Sequence, residues 1–367
     1  MRARLPLAAL ALAVVLLVTA ALPVAQTPTT PAAVAQAALP RVHMVATGGT
    51  ISNRDGARLT ASELAASMPG LERHATLTHE QFANVASTQL TLDQWVQLSQ
   101  RVNALFRDDA GLAGIVVTSG TDTLEETAFF LHLTVRDPRP VVLVGSMRNP
   151  STLGYEGPAN LLEAIRVAAS PASRGMGALV VLNDEINSAR DVTKTDALRL
   201  QTFQSRTHGL LGIVDSDRVV FFRQLLSRHT TRSEFDITAV TALPRVDVLM
   251  TYQGAPGDLI RAAVDAGAKG LVIATAGAGS LSGTQADGLS YAAERGVFTV
   301  ISTRTGAGRI AAFDGPLPAN LPPAIARRAA FMVNAEDHTP IKARVLLMLA
   351  LLRTQDRGEI QRMFKEY

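Results

Sequence analysis

The chain has 367 residues, with 35 Lys and Arg against 32 Asp and Glu, seven His and no Cys. A hydrophobic content of 47% without any Gly-X-Y or heptad period excludes a disordered or fibrous chain, and a prior of roughly 150 residues per domain gives two domains. Aromatic residues make up only 5%, with Trp95 the single tryptophan, which argues against a surface built for stacking bases or sugars.

In chain order, Arg2 and Arg4 precede an apolar run from Leu5 to Val18, and small residues follow at Ala20-Ala21 and Val24-Ala25. This is the layout of a secretory signal peptide over 1–25, cleaved near Ala25-Gln26. An uncleaved anchor is the alternative, but the run is short for a membrane span. Residues 26–40 are rich in Pro, Ala and Thr and read as a disordered tether. The mature protein is therefore expected to be periplasmic or secreted, off the membrane, and stable without disulfides. Losing Arg2 and Arg4 with no acid takes the formal charge from +3 to +1. No Lys/Arg cluster makes an electrostatic footprint, so nucleic acid is not expected as a partner.

From residue 41 onward, short β-branched runs alternate with helical stretches. Val42–Ala46, Gly114–Thr118, Pro140–Val144 and Ala178–Leu182 are near-continuous apolar runs, the pattern of strands buried on both faces of a parallel sheet. Thr91–Phe106 and Leu161–Ala169 read as the intervening helices. Ser227–Pro244 is poor in apolar runs and reads as a linker. Strands resume at Val246–Tyr252, Leu271–Ala274 and Val297–Ile301, with helices at Leu259–Ala266, Gln285–Glu294 and Ile341–Arg353. The expected fold is α/β: a large N-terminal, doubly wound, mostly parallel domain over 41–226, a linker over 227–245, and a smaller flavodoxin-like α/β domain over 246–367.

Ligands of such sheets collect beyond the carboxyl ends of the strands. Three small-polar clusters fall there, Thr47-Gly48-Gly49-Thr50, Thr118-Ser119-Gly120-Thr121-Asp122-Thr123 and Gly145-Ser146-Met147-Arg148, and a fourth, Asp191-Val192-Thr193-Lys194-Thr195, follows the fourth strand after a short loop. Any one alone reads as an ordinary capped glycine turn. Together they supply two hydroxyls (Thr50, Thr121), a carboxylate (Asp122), an amine (Lys194) and backbone N–H groups in glycine-rich turns. A threonine hydroxyl needs a neighbour to take its proton. A lysine does so when desolvation or partners lower its pKa, and free N–H groups stabilise an oxyanion. These are the parts of hydroxyl-nucleophile acyl transfer, with the leaving group unspecified.

Competing motifs fail. His79-Glu80-Gln81-Phe82-Ala83 opens like a zinc-protease motif but has Ala83 where the second His is required. No G-x-S-x-G elbow exists, Gly277-Ala278-Gly279 has Ser282 where a third glycine is needed, and Thr47-Gly48-Gly49-Thr50 lacks the P-loop Gly-Lys-Ser/Thr.

The segments ATGGTIS (46–52), GTDTLEETAFFLHLTV (120–135), VVLVGSMRNPS (141–151), EGPANLLEA (156–164), RDVTKT (190–195) and KARVLLMLAL (342–351) together resemble the bacterial type II (periplasmic) L-asparaginases and their glutaminase-asparaginase relatives. The resemblance covers nearly all of the mature chain. It implies that Thr50 is the first nucleophile, that Thr121, Lys194 and Asp122 form a second triad, and that Asp122 also meets the substrate's α-amino group. It further implies Ser87 on the α-carboxylate with Thr88 in the place of a common Gln, Gly49 and Gly120 as backbone positions of the pocket, and Ser146 meeting the side-chain amide through its main chain. The family hydrolyses L-asparagine to L-aspartate and ammonia through an acyl-enzyme, without metal or cofactor, as a homotetramer built as a dimer of dimers.

The sequence departs from the family pattern at the flap after TGGT, where Leu59 aligns with a common tyrosine and Ile51–Thr60 is short. Ser119 replaces a histidine, Ser280 aligns with a substrate-contacting asparagine, and no counterpart of a glutamate is found near Thr303–Ile310. These changes leave open a glutaminase-asparaginase, another amino-acid amidase, or a weakened amino-acid-binding homologue. Trp95, Phe129, Phe130 and His132 read as core; Glu125 and Glu126 as a solvated helix cap; Arg148 as loop support rather than a pocket residue.

Overall fold

The computed structural model describes residues 38–312 and 319–367; the leader and most of the tether lie outside the described residues. The chain from Leu39 onward forms one compact unit. Its N-terminal part contains β1 (Arg41–Gly48), β2 (Asn53–Arg54), β3 (Ala57–Arg58), α1 (Ala61–Ala66), β4 (Thr76–Val85), α2 (Leu92–Asp108), β5 (Leu112–Thr118) and α3 (Leu124–Thr134). It continues with β6 (Val141–Val144), α4 (Gly157–Ala169), β7 (Ala178–Leu182), β8 (Glu185–Ser188), β9 (Thr193–Lys194), β10 (Phe203–Gln204), β11 (Gly212–Val214) and β12 (Val219–Phe221). The C-terminal part holds β13 (Val246–Met250), α5 (Asp258–Asp265), β14 (Gly270–Thr275), α6 (Gln285–Glu294), β15 (Phe298–Thr303), α7 (Pro323–Ala330), β16 (Met332–Asn334), α8 (Pro340–Arg353) and α9 (Arg357–Glu366).

The large sheet has the order β12-β11-β8-β7-β6-β5-β1-β4. Pairing is parallel from β4 through β7 and antiparallel from β7 through β12. Its strands read as unbroken apolar runs because alternate residues serve different cores. Val42, Met44, Val116, Val142 and Leu179 pack with Leu161 and Ile165 of α4 and Leu64 of α1. Val45, Val117, Leu143 and Val180 pack on the other face with Leu98 and Val102 of α2 and Leu131 of α3. Helices thus cover both faces, the doubly wound arrangement. The small sheet, β13-β14-β15-β16, is parallel throughout.

Two elements differ from the pattern reading. Strand β4 carries the polar run Thr78-His79-Glu80-Gln81 because it is the sheet edge; Glu80 leaves the sheet to meet Arg101 of α2 at 2.6 Å. The linker is not loosely attached: Phe235 and Ile237 are buried in the core that joins α3 to α8, and Ser233 Oγ donates to the Leu133 carbonyl. Helix α8 is apolar nearly all round for the same reason, since it packs against the small sheet, α3 and α9.

Three histidines sit in or beside this joint. His132, which accepts from the Ala178 N–H at 3.2 Å, lies 5.0 Å ring to ring from His229, and His338 lies 5.7 Å from Phe129. Burial, helped by Arg232, pushes His229 down to about 4, and burial, helped by Arg190, pushes His338 down to about 3. An unfolded histidine binds its proton near pH 6.5. Between that value and the folded ones the unfolded chain holds more protons, so this contribution is fully present above about pH 6.5 and is lost as pH falls through 4. Urea melts at pH 7, 5 and 4 should show progressive destabilisation, and His229→Asn should have the shallower slope.

Candidate active site

The large sheet starts at β1, steps to β4 at the edge, then returns to β5 on the other side of β1 and continues outward. The order therefore reverses between β1 and β5, and the crevice at that switch point is where ligands of open α/β sheets bind. Two ties hold the carboxyl ends of these strands together: Thr47 Oγ1 donates to the Thr118 carbonyl at 2.7 Å, and the Thr47 N–H donates to Thr118 Oγ1 at 3.3 Å.

Beyond those ends the two turns approach backbone to backbone. Gly48 and Gly49 have φ of 103° and 89°. A Cβ on Gly49 would lie 2.1 Å from the Gly120 nitrogen, and one on Gly48 would lie 2.5 Å from both the nitrogen and the oxygen of Val85. Only glycine permits this conformation and this spacing. The result is a small cavity of about 70 Å³ lined by Gly49, Thr50, Asn53, Arg58, Ala86, Ser87, Gly120, Thr121 and Asp122.

Lysine 194 enters from the β9–β10 hairpin. Its Nζ donates to Thr121 Oγ1 at 3.0 Å and meets Asp122 Oδ1 at 2.6 Å. Thr121 is buried, whereas the Asp122 side chain is 68% exposed and open to a ligand. The hairpin itself is clamped from both sides. Glu125 Oε1, in the first turn of α3, accepts from the Lys194 N–H at 2.9 Å and from Thr193 Oγ1 at 3.1 Å. Lys342 Nζ, from α8, donates to the Arg190 carbonyl at 2.7 Å and to the Val192 carbonyl, and Arg190 forms a two-pronged pair with Asp337 at 2.8 and 3.0 Å. Burial, offset in part by Glu125, lowers the Lys342 ammonium to about 8.

Of the residues singled out in the sequence, Gly49, Thr50, Ser87, Gly120, Thr121 and Asp122 share one cavity, and Lys194 reaches it through Thr121 and Asp122. Thr88 is exposed and does not line it. Ser146 is buried with its hydroxyl turned to the Arg148 carbonyl at 2.6 Å, and it does not line the cavity either, although a Cβ on neighbouring Gly145 would stand 3.2 Å from Thr121 Cγ2. The Thr50 hydroxyl makes no hydrogen bond among the described residues. Ser280 lies on an exposed turn of the small domain, and no described residue of that domain lines the cavity.

Glu125 corrects the reading of a solvated cap: it is buried, and its position in the first turn of α3 aims it at the hairpin rather than at water. No sequence pattern signals this, because the contact joins residues 69 apart. Glu126 is half-buried against Arg344 at 3.4 Å. Arg148 supports its loop, by donating to the Gly154 carbonyl at 3.0 Å. Leu59 stands at the position that aligns with the flap tyrosine. It is buried with Ile51, Ala61, Leu64 and Met68 and faces the core rather than the cleft. Leu59→Tyr should therefore cost about 1–3 kcal/mol by overpacking and give no gain in turnover. A thermal melt and a rate assay on the same sample check both.

Comparison with known proteins identifies the family. Residues 41–227 match the family described as Asparaginase, N-terminal, and residues 245–364 match the Glutaminase/Asparaginase C-terminal domain. L-asparaginase 2 of Bacillus subtilis (strain 168) is 40% identical over 339 residues, covering 90% of this chain and 87% of that protein. Glutaminase-asparaginase of Pseudomonas fluorescens biotype A is 37% identical over 339 residues, 90% and 91% of the two chains. L-asparaginase 2 of Escherichia coli (strain K12) is 36% identical over 340 residues, 90% and 94%. The crystal structure of a "Probable Cytoplasmic L-asparaginase" from Campylobacter jejuni superposes with a TM-score of 0.80 at 36% identity, covering 90% of this chain and all of that one. With both domains matched in order over nearly the whole described chain, the protein belongs to the glutaminase/asparaginase family of amidohydrolases.

Proposed function

We propose that the protein is an L-asparaginase that hydrolyses L-asparagine to L-aspartate and ammonia, with Thr50, Thr121, Asp122 and Lys194 as its catalytic residues. The observation that carries this reading is the pair of contacts from Lys194 Nζ, 3.0 Å to Thr121 Oγ1 and 2.6 Å to Asp122 Oδ1. An amine within hydrogen-bonding reach of a buried hydroxyl is placed to accept its proton as the oxygen attacks an amide carbon. The acyl-enzyme then forms as ammonia leaves, and water releases the acid. Among the described residues, the N–H groups of Thr50 and Thr121 enter no hydrogen bond, and they are available to the oxyanion. Gly49, Ser87 and Gly120 shape the substrate side of the cavity.

The domain assignment we favour is 41–226 and 246–367 with a linker between, in an exported protein whose leader is removed. Among the described residues of one chain, the Thr50 hydroxyl has no partner to take its proton. A homotetramer in which the neighbouring subunit completes each site supplies one route to it; a weakened amino-acid-binding homologue is the reading left if no such group arrives. Ammonia release from L-Asn, L-Gln and their D-forms separates these. The expected order places L-Asn first, with L-Gln lower by no more than roughly 10–200-fold, since one methylene discriminates only that far. No ammonia from any of the four overturns the assignment.

A further inference from the structure

The β2–β3 hairpin brings a cation to the cavity. Arg58 lines it together with Thr50, Ser87, Thr121 and Asp122, and its Nη1 donates to the Gly49 carbonyl at 3.2 Å. That carbonyl already accepts from the Ser52 N–H at 3.1 Å and the Ser52 hydroxyl at 3.0 Å. A carbonyl oxygen has two lone pairs, so Arg58 is a surplus donor there. Among the described residues, the remaining guanidinium N–H groups meet no acceptor and no carboxylate pairs with Arg58. Lys194, the other nearby cation, is engaged by Thr121 and Asp122 and does not line the cavity. A half-buried guanidinium without a counter-charge, at the wall of a cavity, is a binding group for an anion.

The Arg58 backbone is tied to the large domain. Arg58 pairs with Asn53 at the base of the hairpin, away from the Asp55-Gly56 tip. The next residue, Leu59, is buried and donates its N–H to the Ser52 carbonyl at 2.7 Å. Thr60 then opens α1 with a capping box closed by Glu63. The guanidinium is thus carried by backbone anchored to the large-domain core.

An amide of a free α-amino acid presents an ammonium and a carboxylate on one carbon. The cavity wall offers one acid, Asp122, and one cation, Arg58. We propose that Arg58 binds the substrate α-carboxylate alongside Ser87, and thereby selects free α-amino acids. This deepens the asparaginase reading of the same cleft and rests on it.

The test compares wild type with Arg58→Gln, which keeps an N–H donor for the Gly49 carbonyl, and with Arg58→Lys, which keeps the charge. KM for L-asparagine should rise about 10- to 100-fold in Arg58→Gln, the scale of a lost charge-assisted hydrogen bond. The rise should be smaller in Arg58→Lys, with kcat within about threefold in both. By calorimetry, Arg58→Gln should bind L-aspartate at least about tenfold more weakly. β-Alanine, which is aspartate without its α-carboxylate, should bind the two proteins equally or not at all. An unchanged KM, a fall in kcat alone, or parallel weakening of both ligands overturns the proposal. If the wild type releases no ammonia the asparaginase reading fails, and the aspartate and β-alanine pair still decides the role of Arg58; absence of aspartate binding to wild type also overturns it.

Discussion

Lys194→Met is expected to lower ammonia release from L-asparagine by about 10²- to 10⁴-fold, the range for loss of a proton-transfer group, while the protein stays folded. Methionine preserves the length and apolar body of the side chain but cannot hydrogen-bond Thr121 or take up its proton. The cost to the fold should be small, because the Asp122 carboxylate left behind is 68% exposed and regains water. Thr50→Ala should be at least as severe for turnover, about 10³-fold or more, and still gentler on stability, since the Thr50 hydroxyl has no hydrogen-bond partner among the described residues to lose. Rates beside thermal melts on the same preparations separate chemistry from folding. Full turnover in either variant would remove the basis of the proposed mechanism.

The second large effect is expected at Gly49, and it should appear in stability as well as rate. The alanine Cβ would stand 2.1 Å from the Gly120 nitrogen and 2.3 Å from its Cα, and both are backbone atoms that cannot swing aside. The φ of 89° adds strain for any residue with a side chain. Gly49→Ala should therefore cost more than about 3 kcal/mol, the range reserved for forced backbone movement and lost packing. If the variant folds, the turns bearing Thr50 and Thr121 must separate, and a shift of about 1 Å can cost roughly 10²-fold in rate. Gly56→Ala is the control: its φ is 77°, yet a Cβ there meets nothing within 4 Å. It should cost only the local strain, about 1 kcal/mol, and leave turnover near wild type.

The fold was legible wherever both faces of a strand are buried, as in Val42–Ala46, Gly114–Thr118 and Ala178–Leu182, because a continuous apolar run has few other meanings. Legibility failed at the sheet margins. The polar β4 hides as loop because its edge position lets Glu80 serve Arg101, and β8, β11 and β12 are too short to stand out. Within the cavity, Thr50, Thr121 and Asp122 stood out because they sit in small-polar turns after strands, whereas Lys194, on β9, stood out only as part of a small-polar cluster. Glu125, Lys342 and Arg58 did not stand out. Glu125 and Lys342 act through partners 69 and 152 residues away, and a buried acid or base carries no local signature; Arg58 shows itself only once the hairpin is folded beside the cavity.

By itself the sequence determined the alternation of strands and helices, the placement of hydroxyl, amine and carboxylate at strand ends, and the glycines that no other residue could replace. Those follow from local sterics and from the periodicity of burial, which a single chain records directly. Only the tertiary structure decided that Leu59 belongs to the core, that Thr88 stands off the cavity, and that Arg58 faces it with donors to spare. A side chain's direction at the end of a hairpin depends on which neighbours compete for the space, and those neighbours come from distant parts of the chain.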